Sequence, residues 1–99
     1  MPAERILVVD DEEANRNLLR EILRPLGYQV RQAADGEEAL AAVAESTPDL
    51  ILLDLMMPRL NGYDVCRALK NDPRTRLVPI IILTTLEQLQ DKIKAIDLG

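Results

Sequence analysis

The sequence predicts an α/β fold, a doubly wound parallel β-sheet with helices on both faces. Short apolar runs without polar alternation are typical of strands buried on both faces, as in parallel sheets. Each run is followed by apolar residues at helical spacing, which indicates alternating strands and helices. The chain has 99 residues, of which 47% are apolar and 29% charged, as expected for one soluble domain with a core of its own.

Four strands are predicted, at residues 6–9, 28–33, 50–53 and 79–83. The first, third and fourth are continuous β-branched or leucine-rich runs, whereas the second alternates apolar and polar side chains. The first and third runs each end at an aspartate, and the fourth leads into two threonines. The sequence therefore predicts three buried strands and one weaker strand.

Helices are predicted between the strands. The first carries apolar residues three and four positions apart and is closed by a proline and a glycine: Leu18, Leu19, Ile22, Leu23 and Leu26, then Pro25 and Gly27. The second follows the Asp35-Gly36 turn and ends before Pro48. The third carries Val65, Cys66 and Leu69, and the fourth carries Leu89, Ile93, Ile96 and Leu98.

This alternation calls for right-handed crossovers and a flavodoxin-like sheet with the strand order 2-1-3-4. The complete order of such a sheet is 2-1-3-4-5, but the chain stops at Gly99, as the fourth helix ends. We therefore expect residues 1–99 to form a single domain that is incomplete at its C-terminus and lacks the fifth strand and helix.

Composition excludes several classes of function. The net charge is −5, and the two tyrosines are the only aromatic residues, which disfavours direct nucleic acid binding. The chain has one cysteine and no histidine, so an internal disulfide and a zinc site are both excluded. No apolar run is long enough for a signal peptide or a membrane span. We expect a cytoplasmic protein without membrane contact.

Carboxylates follow the predicted strands where ligands bind in parallel sheets. Asp10 and Asp11 end the first strand, and Asp54 ends the third, which is its neighbour in the predicted order. Three carboxylates in one cleft repel each other unless a cation intervenes, and Mg²⁺ prefers oxygen ligands. Asp11 alone equally suits the N-cap of the first helix. The sequence therefore predicts a magnesium site at this edge.

The same edge suits phosphoryl transfer. An aspartate carboxylate can be the nucleophile, and Thr84 would offer a hydroxyl at the end of the fourth strand, although Thr85 could serve equally well. The carbonyl of Met56 lies two residues past Asp54, within reach of a metal. A nucleotide site is disfavoured because the first turn contains no glycine.

Four motifs in order resemble the receiver domains of two-component response regulators. They are Ile6-Leu-Val-Val-Asp-Asp-Glu, Pro48-Asp-Leu-Ile-Leu-Leu-Asp-Leu-Met-Met-Pro, Asn61-Gly62, and Pro79-Ile-Ile-Ile-Leu-Thr-Thr. The resemblance is in register from residue 5 to 99. It implies a flavodoxin-like fold and a signalling protein that is a phosphoacceptor rather than an enzyme with a separate substrate.

The resemblance also implies the role of each site residue. Asp54 would accept a phosphoryl group from a phosphohistidine on a sensor histidine kinase or a phosphotransfer protein. Asp54, Asp11 and the Met56 carbonyl would hold Mg²⁺, with Asp10 acting through a water molecule. Thr84 would be the hydroxyl that moves toward the phosphoryl group in the active state. An output domain would belong to the full-length parent.

The sequence departs from the family pattern at two places. Thr85 stands where the family usually has alanine or glycine, so we expect narrower access to the phosphorylation pocket. The family's fifth strand, with its lysine, lies beyond Gly99, so we expect Mg²⁺ binding to survive and phosphorylation to be slow or short-lived. An uncovered edge and face would also favour self-association.

Two rival functions follow from the same residues. A truncated or degenerate receiver could act only as a module for protein interaction or self-association. A phosphohydrolase with an aspartate nucleophile would need a second acid two residues after Asp54, where this chain has Met56. The phosphohydrolase is therefore disfavoured.

Overall fold

The parallel sheet has the predicted strand order. The structure of the protein, a computed structural model, describes residues 4–54 and 62–83. Within these residues the sheet has four strands in the order β2-β1-β3-β4. In chain order the elements are β1 (Arg5–Val9), α1 (Glu13–Leu23), a 3₁₀ turn (Arg24–Leu26), β2 (Gln29–Ala33), α2 (Gly36–Glu45), β3 (Leu50–Asp54), α3 (Gly62–Asn71) and β4 (Ile80–Leu83). The predicted fourth helix lies outside the described residues.

The register of the strands aligns their carboxyl ends. Val9, the last residue of β1, pairs with Ala33, the last residue of β2. On the other side, Val9 pairs with Leu53, one residue before the end of β3. Because all pairs are parallel, the residues that follow these positions meet at one edge of the sheet.

The core lies on both faces of the sheet, as predicted for a doubly wound fold. One cluster joins β1 and β3 to α2 and α3, and its fully buried members include Leu7, Ile51 and Leu53. The second cluster contains Ile6, Val8 and Leu52 with partly buried residues of α1 packed against it. Alternation along each strand sends successive side chains to opposite faces, so one continuous apolar run serves both clusters.

Local turn chemistry explains how helices and strands are joined. Asp35 is the N-cap of α2, and its side chain accepts a hydrogen bond from the Glu38 N–H at 2.8 Å. Gly27 ends the 3₁₀ turn with a φ of 98°, in the left-handed region that glycine adopts most readily. Both turns fall where the sequence predicts them.

The first helix contacts the sheet with only part of its apolar surface. Leu19 and Leu23 pack against the second core cluster. Leu18 and Ile22 remain 55% and 52% exposed, and Leu26 in the 3₁₀ turn is 69% exposed. The apolar arc of the helix is therefore wider than the strip that touches the sheet.

Strand β4 also presents apolar side chains to solvent: Ile81 and Ile82 are 50% and 39% exposed.

In the part of the chain that the structure describes, none of the helices combines the length and the apolar character that crossing a membrane requires. The predicted self-association through the uncovered edge and face stays a prediction.

Candidate functional site

Three carboxylates meet at the carboxyl edge of the sheet. Asp10 directly follows β1, Asp54 is the last residue of β3, and Asp11 begins the loop to α1. One carboxylate oxygen from each residue lies within 4.8 Å of the other two. We call these three residues the acidic cluster. The structure therefore brings together the residues that strand-end placement singles out.

Asp10 is the most constrained member of the acidic cluster. It is 5% exposed, and its N–H donates to the Ala33 carbonyl of β2 at 3.1 Å. The Glu12 N–H donates to Asp10 Oδ1 at 2.9 Å, and the Asn15 side-chain amide approaches Oδ2 at 3.4 Å. Each carboxylate oxygen of Asp10 thus has a donor before any ligand arrives.

The electrostatics of the acidic cluster disfavour negative charge on Asp10. Burial raises the pKa of its carboxyl above the ordinary value, and the negative charges of Asp54 and Asp11 raise it further. The hydrogen bonds from Glu12 and Asn15 oppose this rise in pKa without cancelling it. A cation bound at the cluster would relieve both the repulsion and the cost of burial.

Asp11 does not cap the first helix. The N-cap position is occupied by Glu12, which has extended backbone and makes no side-chain capping bond. Asp11 is exposed and Asp54 is half-buried, so both are more accessible from solvent than Asp10. The N-cap interpretation of Asp11 is wrong, because α1 begins at Glu13 and its cap position therefore falls on Glu12, one residue after Asp11.

Polar residues of α1 that the sequence does not predict as part of the site support Asp10. Asn15 and Arg16 lie in the first turns of α1, and the Arg16 guanidinium donates to the Asp10 carbonyl at 2.6 Å. Arg16 also donates through Nε to Gln32 Oε1 of β2 at 3.2 Å. Polar residues on a helix have no periodicity that marks them as partners of a strand end, so the sequence carries no signal for this arrangement.

Two predicted members of the site, Met56 and Thr84, lie outside the described residues. The described residues alone supply three hard oxygen donors from two adjacent strand ends. This donor set suits Mg²⁺, which prefers carboxylate oxygens and keeps water in its remaining positions. The residues present therefore fit the cation that the sequence predicts.

The sequence pattern of the response regulator receiver domain matches residues 6–99. The chain belongs to the response regulator receiver domain family. Members of this family act in two-component signalling, and they interact with histidine kinases and phosphotransfer proteins. Receiver domains bind Mg²⁺ at an acidic pocket, and the acidic cluster of this chain is a group of carboxylates that could hold a metal ion.

Named relatives of this receiver domain are longer proteins. It is 50% identical over 95 residues to the response regulator PleD of Caulobacter vibrioides, covering 96% of this chain and 21% of PleD. It is 45% identical over 95 residues to the DNA-binding dual master transcriptional regulator RpaA of a Synechocystis species, covering 96% of this chain and 39% of RpaA. The receiver domain thus spans well under half of either relative.

A solved receiver structure has the same fold. The signal receiver domain of a signal transduction histidine kinase from Syntrophus aciditrophicus matches with a TM-score of 0.85 and 37% identity. The match covers 98% of this chain and 74% of that one. The flavodoxin-like fold predicted from the sequence is therefore confirmed.

Proposed function

We propose that this receiver domain accepts a phosphoryl group on Asp54 in a Mg²⁺-dependent reaction. The observation that carries the proposal is the convergence of Asp10, Asp11 and Asp54 within 4.8 Å at the carboxyl edge of the sheet. The signalling role follows from membership of the family. The geometry of the acidic cluster favours one of its three aspartates, Asp54, as the acceptor.

Accessibility and backbone position favour Asp54 as that acceptor. Asp10 is buried, so an incoming phosphoryl group reaches its carboxylate less easily. Asp54 ends β3 and is half-buried, so an incoming group can reach it while the strand holds its backbone. A carboxylate that is accessible and held at a strand end suits nucleophilic attack.

In the proposed step an Asp54 carboxylate oxygen attacks the phosphorus of a phosphohistidine on a sensor kinase or phosphotransfer protein. The O–P bond forms as the P–N bond to the donor imidazole breaks, and the electron pair of the P–N bond stays on that imidazole. The product is an aspartyl phosphate. The protein is thereby a phosphoacceptor that assists its own modification, not an enzyme acting on a separate substrate.

Asp10, Asp11 and Asp54 would hold the cation, together with the Met56 carbonyl, and Asp10 would act through water. When bound, Mg²⁺ would offset negative charge on the carboxylates and on the phosphoryl oxygens. The hydroxyl of Thr84 would follow the phosphoryl group and switch the conformation that an output domain senses. These roles of Met56 and Thr84 rest on the family resemblance.

Intact-mass spectrometry after incubation with acetyl phosphate and Mg²⁺ tests the proposal. We expect wild-type protein to gain the mass of one phosphoryl group, and hydroxylamine to remove it because it cleaves acyl phosphates. Asp54→Asn should gain nothing. Asp49→Asn is the matched control, since Asp49 lies at the opposite end of β3 and accepts the Arg5 N–H at 2.7 Å.

Equal labelling of Asp54→Asn and wild type would show that another residue is the acceptor. A folded wild-type protein that gains no phosphoryl mass would instead favour the alternative function, a receiver that acts only as an interaction module.

A further inference from the structure

Arg16 of α1 connects the end of β1 to the side chain of a β2 residue. Its Nη1 donates to the Asp10 carbonyl at 2.6 Å, and its Nε donates to Gln32 Oε1 at 3.2 Å. Gln32 in turn donates through Nε2 to Asn17 Oδ1 at 3.3 Å. A planar guanidinium presents several donors in a rigid fork, so it can hold two acceptors from different elements at once.

The carbonyl that Arg16 holds belongs to the peptide joining two members of the acidic cluster. The Asp10 carbonyl and the Asp11 N–H lie in one planar peptide group, so fixing the carbonyl fixes the plane. Asp10 is additionally held by the Glu12 N–H and by its own bond to the Ala33 carbonyl. Asp11 is exposed, so packing contributes little to its direction and the orientation of this peptide contributes more.

The positive charge of Arg16 would act against a divalent cation, because like charges repel. Its geometry would act in the opposite direction by holding the ligands in place. Removing a hydrogen bond that orients a metal ligand typically weakens metal affinity by about 10- to 100-fold. The two effects of Arg16 therefore have opposite signs, and a binding measurement distinguishes them.

We propose that Arg16 is a positioning residue for the acidic cluster: by bridging the Asp10–Asp11 peptide to Gln32, it sets the affinity of the cluster for Mg²⁺. This inference rests on the proposed function, since it requires a cation at the cluster. In this role Arg16 would contact neither the cation nor the phosphoryl group and would act only through the two aspartates.

The test is Mg²⁺ titration by isothermal calorimetry on wild type, Arg16→Met, Arg16→Lys and Gln32→Met. We expect Arg16→Met to raise the Mg²⁺ Kd about tenfold, although it removes a repelling charge. Arg16→Lys should also bind more weakly than wild type, because one ammonium does not reproduce the fork. Arg20→Met is the matched control, since it removes the same charge from an exposed position of the same helix.

Urea unfolding of each variant separates positioning from a purely structural role. A structural role would lower the free energy of unfolding of Arg16→Met and leave the Mg²⁺ Kd of the folded protein unchanged. If Arg16→Met does not fold, Gln32→Met serves in its place, because it keeps the positive charge of Arg16 and removes only the hydrogen bond to Gln32. We expect the Mg²⁺ Kd of Gln32→Met to rise about threefold, which is less than the rise expected when both hydrogen bonds of Arg16 are lost.

A Kd for Arg16→Met equal to or below that of Arg20→Met would overturn the inference and leave the proposed function standing. An unchanged Kd for Gln32→Met would count equally against the bridge. A folded wild-type protein that shows no saturable Mg²⁺ binding would overturn the inference and the metal-dependent function together.

Discussion

Asp10 shows how one residue can stabilise a site and destabilise a fold. Its backbone N–H and carbonyl are bonded to Ala33 and Arg16, and its carboxylate faces the donors of Glu12 and Asn15. These contacts orient it for ligand binding, yet its burial penalises the ionised form. The stability of the cation-free protein should therefore depend on the ionisation of this carboxyl.

The sign of that dependence follows from the direction of the pKa shift. Burial, then the charges of Asp54 and Asp11, hold the pKa of Asp10 in the folded protein above its value in the unfolded chain. The folded state then binds this proton more tightly. The resulting stabilisation is present below the unfolded pKa, about 4, and is lost as the pH rises through the folded pKa.

We predict that Asp10→Asn is more stable than wild type at pH 7 when divalent cations are chelated. The amide carries no charge to desolvate and still accepts the Glu12 N–H, and its advantage should shrink as the pH falls toward 4. Urea unfolding followed by circular dichroism across this range measures the difference. Asp49→Asn, at an exposed position, should show no comparable gain. A destabilised Asp10→Asn at pH 7 would contradict this account.

At the scale of elements, the helices contact the sheet in different ways. Helix α2 buries small residues, Gly36, Ala39 and Ala42, with Val43, which lets its backbone approach the sheet closely. Helix α1 has no fully buried residue and contacts the opposite face through Leu19 and Leu23. Neighbouring leucines on α1 therefore differ in what they contribute to stability.

Leu18 and Leu19 provide a matched pair for this difference. We predict that Leu19→Ala lowers the free energy of unfolding by about 2 kcal/mol, because it removes packing against the second core cluster. Leu18→Ala should change it by less than about 0.5 kcal/mol, since Leu18 is 55% exposed. Equal losses in urea unfolding would show that α1 lies on the sheet in a different rotation.

At the scale of the whole molecule, the acidic cluster depends on folding. Asp10 and Asp54 come together only when β1 and β3 pair along residues 6–9 and 50–53. The unfolded chain does not hold their carboxylates in one place, so a cation that binds the cluster binds the folded state preferentially. Ligand binding and stability are thereby linked.

We predict that Mg²⁺ at 100 times its Kd raises the free energy of unfolding by about 2.7 kcal/mol. Asp54→Asn should gain clearly less, because one ligand of the cluster loses its charge. Urea unfolding at a fixed ionic strength, balanced with NaCl, separates specific binding from screening. Equal stabilisation of both proteins would show that the cation binds elsewhere.

The apolar runs and the strand-end aspartates by themselves determined most of the fold and the identity of the acidic cluster. Runs such as Leu50-Ile-Leu-Leu report burial on both faces, and parallel strands bring residues such as Asp10 and Asp54 to one edge by geometry alone. These signals are local, since each lies within a few residues of chain. The motifs in register then indicated the family.

Only the tertiary structure decided which leucines of α1 face the sheet and which side chains support the acidic cluster. Helical spacing defines an apolar arc but not the rotation of the helix, so Leu18 and Leu19 look alike in the sequence. Arg16 and Gln32 are 16 residues apart in the sequence, yet their side chains are hydrogen-bonded. Such a contact depends on how α1 and β2 are placed together, and packing of the whole sheet determines that placement.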